Sequence, residues 1–303
     1  ATVARLASAG AEVVAVSRNP DRAVELPAGV TTQACDVLDR TGLQQLLAAC
    51  APDSLEIGYQ GAGMVEWMAR RSIPGTIYAG EYGGYISHYV EGTGQYRNVS
   101  AWPANPSGTK PSDLAYRFQW TAPMEISPHD PKVIYHGANV LFRSEDRGNT
   151  WTKLSGDLTR NDRDKQGWSG GPITGDITGV ETYGTIFSIE ESPVAKGMIW
   201  VGTDDGLVQV TRDGGASWSN VTPKGFPAWA TVEGIEASAR DADTAYVAID
   251  ARRVDDQKPY LYRTRDGGGK WEALGEGLPQ ANAHETVLRD APADVLVARL
   301  PAA

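Results

Sequence analysis

With 303 residues, 34 glycines, 18 prolines, 9 tryptophans and 12 tyrosines against 4 phenylalanines, the chain has the composition of many short strands joined by tight turns. A formal charge of −10 repels nucleic-acid backbones and anionic bilayers from the surface as a whole, and no run of about 18 apolar residues is present to cross a membrane. Cys35 and Cys50 both lie near the N-terminus, so the rest of the chain has no disulfide framework, and Ala1 to Ala9 lacks the apolar core of a signal peptide.

The chain opens on an Ala/Val/Leu-rich segment almost free of aromatics, which ends near Pro52. Thr2 to Ser8 reads as the tail of a helix stopped by Gly10, Glu12 to Ser17 as a buried strand, Val30 to Ala34 as a second strand and Thr41 to Ala49 as a second helix. This alternation predicts a short α/β, Rossmann-like segment over residues 1–52. Through residues 9–20 (AGAEVVAVSRNP) and 35–39 (CDVLD) it resembles the NAD(P)-binding half of NmrA-like short-chain dehydrogenases. That resemblance implies Ser17 and Arg18 near the adenosine ribose and Asp36 near the adenine. The Gly-rich turn that would hold the pyrophosphate is missing before Ala1, so no bound cofactor is expected.

A repeat governs the remainder, residues 53–303. Three stretches fit Ser/Thr-x-Asp-x-Gly-x-x-Trp: Ser144 to Trp151, Thr211 to Trp218 and Thr264 to Trp271. Asp146, Asp213 and Asp266 supply a side-chain acceptor for backbone N–H groups, and Gly148, Gly215 and Gly268 can take positive φ. Trp151, Trp218 and Trp271 each give a flat wedge to bury between neighbouring sheets, with an N–H that needs a partner. These nine residues are therefore structural, marking the hairpin between the two outer strands of a blade.

Apolar strands precede each turn: Met124 to Ile126 and Val133 to Gly137 before the first, Phe187 to Glu190 and Met198 to Gly202 before the second, Ile235 to Ser238 and Thr244 to Ala248 before the third. Four strands per repeat is a β-propeller blade. Gly75 to Gly80 and Gly83 to Tyr89, closed by Gln95 to Ser100, look like an earlier blade, and His284 to Arg289 with Asp294 to Leu300 like the start of a later one. The expected fold is mainly β, an Asp-box propeller of about four to five four-stranded blades, incomplete as a ring. An open ring invites homo-oligomerisation. The polar, Gly-rich stretch from Asp157 to Thr182 is an insertion between blades.

The turns, together with Tyr116 to Trp120, Ser127 to Pro131, Ser169 to Thr174, Gly202 to Leu207 and Lys258 to Tyr262, resemble bacterial BNR/Asp-box repeat proteins of the sortilin-like, glycosyl hydrolase-like family. The resemblance implies an exported protein that binds a protein, peptide or glycan at the mouth of the propeller. It does not specify an activity, since propellers host unrelated functions.

Candidate site residues are those near the inner strands and their connections. Asp204 and Asp205 follow one inner strand, and Glu181 with Tyr183 ends the insertion; a pair of carboxylates across a cleft is the equipment of a glycoside hydrolase, the alternative to a binding module. Arg117, Gln119 and Trp120 introduce another blade, and His136 and Asn139 flank a short turn, as candidate ligand contacts. Asp255 and Asp256 sit in a polar loop. The four histidines, His88, His129, His136 and His284, have no metal-ligand spacing, and no metal site is expected.

Overall fold

Short runs of Val, Ile, Tyr and small residues, cut at close intervals by Gly, Asp, Asn and Pro, can form strands but never a long helix. The computed structural model describes residues 13–17, 30–34, 55–57, 67–69, 75–90, 92–171, 173, 175 and 182–274, in a chain that divides into two units, Ala1–Asp53 and Ser54–Ala303. Among the described residues no helix is long and apolar enough to cross a membrane.

In the first unit, β1 (Val13–Ser17) and β2 (Val30–Ala34) pair in parallel, from Val13 opposite Val30 to Ser17 opposite Ala34. These two strands are the described part of the expected Rossmann-like segment. The helices expected over residues 2–8 and 41–49, Arg18 and Asp36 lie outside the described residues, and of Ser17 only the backbone is described.

Among the described residues of the second unit every strand pair is antiparallel. β3 (Leu55–Ile57) pairs with β4 (Trp67–Ala69), and β5 (Thr76–Glu81), β6 (Tyr85–Val90) and β7 (Gln95–Asn98) form a sheet in that order. This sheet has three strands among the described residues, one fewer than expected for a blade. Three four-stranded meanders follow: β8 (Met124–Ile126), β9 (Ile134–Gly137), β10 (Leu141–Ser144) and β11 (Thr152–Lys153); β12 (Ile186–Glu191), β13 (Ile199–Thr203), β14 (Val208–Thr211) and β15 (Ser219–Asn220); β16 (Thr231–Ala237), β17 (Ala245–Asp250), β18 (Tyr260–Thr264) and β19 (Glu272–Ala273). Residues 284–300, expected to begin another blade, are outside the described set.

Successive sheets pack face on face, as blades of a propeller-like fold do. The first strand β12 lies against β16 of the next sheet and against β8 and β9 of the previous one. Strands covered on both faces need apolar residues at every position, and β13 (IWVGT) is buried along its whole length, whereas the outer strands β11, β15 and β19 are exposed. Each seam has its own core with one tryptophan packed against it. Tyr78, Ile86, Val99 and Ile134 carry Trp151; Tyr135, Leu141, Ile189 and Ile199 carry Trp218; Trp200, Val208, Val232 and Val247 carry Trp271.

The three repeated turns are built alike. The hydroxyl that ends the third strand accepts the glycine N–H: Gly148 to Ser144 at 2.7 Å, Gly215 to Thr211 and Gly268 to Thr264 at 2.9 Å. The aspartate accepts the N–H four residues on, Thr150 to Asp146 and Lys270 to Asp266 at 2.8 Å and Ser217 to Asp213 at 2.9 Å. The Ser217 hydroxyl and N–H together hold the Asp213 carboxyl down at about 2.

Candidate functional site

Register decides which residues share an end of the blades. Met124 faces His136, Ile186 faces Thr203, and Thr231 faces Asp250, so the starts of the first strands and the ends of the second strands lie together. The repeated aspartate turns leave the third strands at the opposite end, where Ser144 pairs with Ile134. Asp204, Tyr183, Arg117, Gln119 and Asn139 therefore share a neighbourhood that the three turns do not touch.

Asp204 leaves β13 and is fully buried. One carboxylate oxygen accepts the N–H groups of Gly184 (3.0 Å) and Thr185 (2.8 Å); the other accepts the Thr185 hydroxyl (2.7 Å) and the Gln119 side-chain amide (3.2 Å). The Thr231 hydroxyl, from the next sheet, donates to its main-chain carbonyl at 3.3 Å. Burial pushes the Asp204 carboxyl up to about 6, against the pull of the Thr185 donors. Asp205 is likewise buried, accepting the Thr203 hydroxyl (2.6 Å) and the Arg160 N–H (2.8 Å), and burial raises its pKa as well.

Arg117 lies beside this pair and is buried too. Its guanidinium donates to the Gly184 carbonyl (3.1 Å), to Asp157 (2.8 Å) and to the Thr159 hydroxyl (3.2 Å). Asn139 completes the frame, accepting the Arg117 N–H at 3.0 Å and donating to Asp157 at 2.8 Å. The network thus ties the loop before β8, the turn between β9 and β10, the loop after β11 and the turn after β13 into one polar joint, buried except at Asp157. A reacting group has to reach its substrate. In this joint each bond is spent on holding loops to one another.

The remaining expected residues are placed as follows. His136 lies inside β9, with Nδ1 at 3.1 Å from the Pro123 carbonyl and Nε2 at 3.1 Å from that of Gly84, and presents nothing to a ligand. The expectation of ligand contact fails there because the apolar run Ile134 to Gly137 is a strand covered on both faces. Trp120 is half-buried, its ring edge against Tyr82 with centroids 4.8 Å apart and its indole N–H without an acceptor. Tyr183 is half-buried and donates its phenol to the Trp229 carbonyl at 2.8 Å; burial, then Asp204 and Asp205, raise its pKa. Glu181 lies outside the described residues. Asp256 accepts the Tyr260 phenol at 2.7 Å, in the turn after β17.

Asp157, Thr159, Arg160, Thr185 and Trp229 complete this end and are not singled out by the sequence. The signal for two of them is Asp157-x-Thr159, a self-closing turn in which Asp157 accepts the N–H (3.0 Å) and hydroxyl (2.6 Å) of Thr159. The Trp229 ring is half-buried, with Arg160 Cζ 4.9 Å and Lys165 Nζ 4.6 Å from its centroid. Among the described residues no group of three or more His, Cys, Asp or Glu is placed to hold a metal ion.

No family model matches the chain, and no curated protein matches it. Solved structures that it resembles include a GH74 xyloglucanase from Xanthomonas campestris, at 16% identity and TM-score 0.46, covering 68% of this chain and 29% of that one. They also include a GH74 enzyme from Niastella koreensis, at 14% identity and TM-score 0.46, covering 77% and 32%. A third is YCF48 bound to D1 peptide, at 21% identity and TM-score 0.33, covering 57% and 44%. The chain spans less than half the length of each of these three. What stands on its own geometry is a mainly β protein of successive four-stranded antiparallel sheets, of the propeller-like class.

Proposed function

We propose that this chain is a binding or scaffold module of the Asp-box type, holding a protein, peptide or glycan at the end of the blades where the first strands begin. The observation that supports this reading is the saturation of Asp204. Both its oxygens accept two donors each and the residue is fully buried, so a carboxylate well placed for acid chemistry serves as a fastener between loops. With its polar interior locked in this way, the end holds its loops in fixed positions for a ligand, which lowers the ordering cost of binding.

The rival reading is a glycoside hydrolase. One observation favours it, an Asp204 carboxyl raised to about 6, which is where a general acid works. The experiment that separates the two readings incubates the full chain with a panel of oligosaccharides and peptides, measuring retention and reducing-sugar release together. Retention of intact ligand supports the module; sugar release abolished by Asp204→Asn or Asp205→Asn supports the hydrolase and removes the module. The NAD(P) reading of residues 1–52 is tested by dinucleotide quenching of tryptophan fluorescence.

A further inference from the structure

The buried Gln119 side chain is a two-sided link. Its amide nitrogen donates to Asp204 Oδ2 at 3.2 Å, and its amide oxygen accepts the main-chain N–H of Trp120. One side therefore answers to a carboxyl group in the turn after β13, and the other holds a half-buried residue in the loop before β8. The Trp120 indole rests edge-on against Tyr82 and its N–H has no acceptor, so the ring has no polar anchor of its own. While Asp204 is ionised the amide can point only this way, because a carboxylate oxygen accepts and never donates.

Among the described residues no cation bonds to the Asp204 carboxylate. Arg117, from the loop before β8, spends its guanidinium on Gly184, Asp157 and Thr159. Asp205, beside it in the turn, adds like charge, and Arg160 from the loop after β11 serves Asp205. The segment entering β12 presents the Tyr183 phenol, which donates to Trp229 and feels Arg253 from the turn after β17. The loop into β16 brings only the Thr231 hydroxyl, on the Asp204 carbonyl. A proton is then the counter-charge that acid supplies, and burial makes the carboxyl take it at about pH 6.

Oδ1 faces the main-chain N–H groups of Gly184 and Thr185, which cannot turn away, so the proton goes to Oδ2. There it meets two more donors, the Gln119 amide and the Thr185 hydroxyl. If the hydroxyl turned to accept, its own hydrogen would lose its acceptor on a residue with 0% exposure. If the amide inverts, its oxygen accepts the acid proton and the Thr185 bond is kept. The N–H that then loses its acceptor belongs to half-buried Trp120, and the inverted NH2 faces it donor to donor. We infer that Asp204 and Gln119 form an acid-operated latch, in which protonation of Asp204 Oδ2 inverts the Gln119 amide and releases Trp120. The latch does not depend on what this end of the blades binds.

The test follows the main-chain amide of Trp120 by nuclear magnetic resonance in the full chain labelled with 15N-tryptophan, its signal identified by its loss in Trp120→Phe. As pH falls from about 7 to about 5 the signal is expected to shift with a midpoint near 6. The shift should vanish in Asp204→Asn, which cannot take up the proton, and in Gln119→Met, which keeps the proton site and removes the link. A Trp120 signal that stays still in the unaltered chain overturns the latch, as it would if the Thr185 hydroxyl absorbed the change. A shift that persists in Asp204→Asn overturns it by assigning the proton elsewhere. One that persists in Gln119→Met overturns it by showing that the Asp204 charge acts on Trp120 through space; that variant decides the matter alone if Asp204→Asn does not fold.

Discussion

The Trp271 indole N–H donates to the carbonyl of Val221, 2.6 Å away on the preceding sheet, and Trp151 repeats the bond to Val99 at 2.8 Å. Trp218 takes the corresponding place between the β8–β11 and β12–β15 sheets, yet its buried N–H has no acceptor. A groove of about 410 Å³, lined in part by Lys153, Leu154, Ser217 and Trp218, lies at that seam. The middle seam is thus held by apolar burial without the hydrogen bond its neighbours have.

Replacing each of these indoles by phenylalanine keeps most of the apolar wedge and removes the donor. Trp151→Phe and Trp271→Phe leave a carbonyl unpaired, while Trp218→Phe removes a buried N–H that was already unpaired. The first two variants are expected to cost about 1–2 kcal/mol more than the third. Urea denaturation of the three proteins measures the difference, and equal losses would mean that the indole bonds do not secure the seams.

Asp204 gives a second expectation. Alanine there strands the N–H groups of Gly184 and Thr185 and the Gln119 amide in a buried site, at a cost of about 3–4 kcal/mol. Asparagine keeps one carbonyl oxygen for the two N–H groups and offers its amide to the Thr185 hydroxyl, which can accept, leaving only the Gln119 amide without an acceptor, so Asp204→Asn should cost less, about 1–2 kcal/mol. Denaturant midpoints read this directly; a neutral Asp204→Ala would show that the joint contributes nothing to the fold.

His136 sets a pH dependence. Burial outweighs its two carbonyl contacts, which favour the imidazolium, and pushes its pKa from 6.5 down to about 4. The folded pKa is the lower one, so its contribution to stability is complete above 6.5 and is lost as pH falls towards 4, where the unfolded chain takes up a proton that the folded chain refuses. Between pH 7 and pH 5 the loss is about 2 kcal/mol. Asp204 acts in the opposite sense, since its raised pKa makes its carboxylate less costly as pH falls through about 6. Comparing the chain with His136→Gln at both pH values isolates the histidine: the variant should lose about 2 kcal/mol less on acidification, and parallel losses would exclude the effect.

The aspartate turns were legible because their chemistry is local: hydroxyl, carboxylate, glycine and indole sit within eight positions, and the fold adds only the carbonyl that each indole finds. Four-stranded repeats could likewise be read from the apolar runs before each turn. His136 could not, because a polar residue inside a strand looks the same from sequence whether it faces solvent or two carbonyls. Asp204, Arg117, Gln119 and Asn139 can be picked out from their places beside inner strands, but their convergence depends on four separate loops. Trp229 and Lys165 carry no signal at all in the sequence, being distant in the chain and brought together only by the packing of one sheet on the next.

Glycine at the turns supplies a last measure of the seams. Gly148, Gly215 and Gly268 have φ of 82°, 100° and 94°, so alanine at any of them costs about 1 kcal/mol in backbone strain. The space beyond them differs. A Cβ at Gly268 would lie 2.6 Å from the Val221 Cβ and one at Gly148 would lie 2.9 Å from the Val99 Cβ, but one at Gly215 meets Leu154 only at 3.2 Å. Overpacking adds about 1–3 kcal/mol where the neighbour cannot move. Gly268→Ala should therefore be the most destabilising, Gly148→Ala next and Gly215→Ala the least, in the same order as the tightness of the seams. If Gly215→Ala proved as costly as Gly268→Ala in urea denaturation, the middle seam would not be the loose one, and the missing Trp218 bond would need another cause.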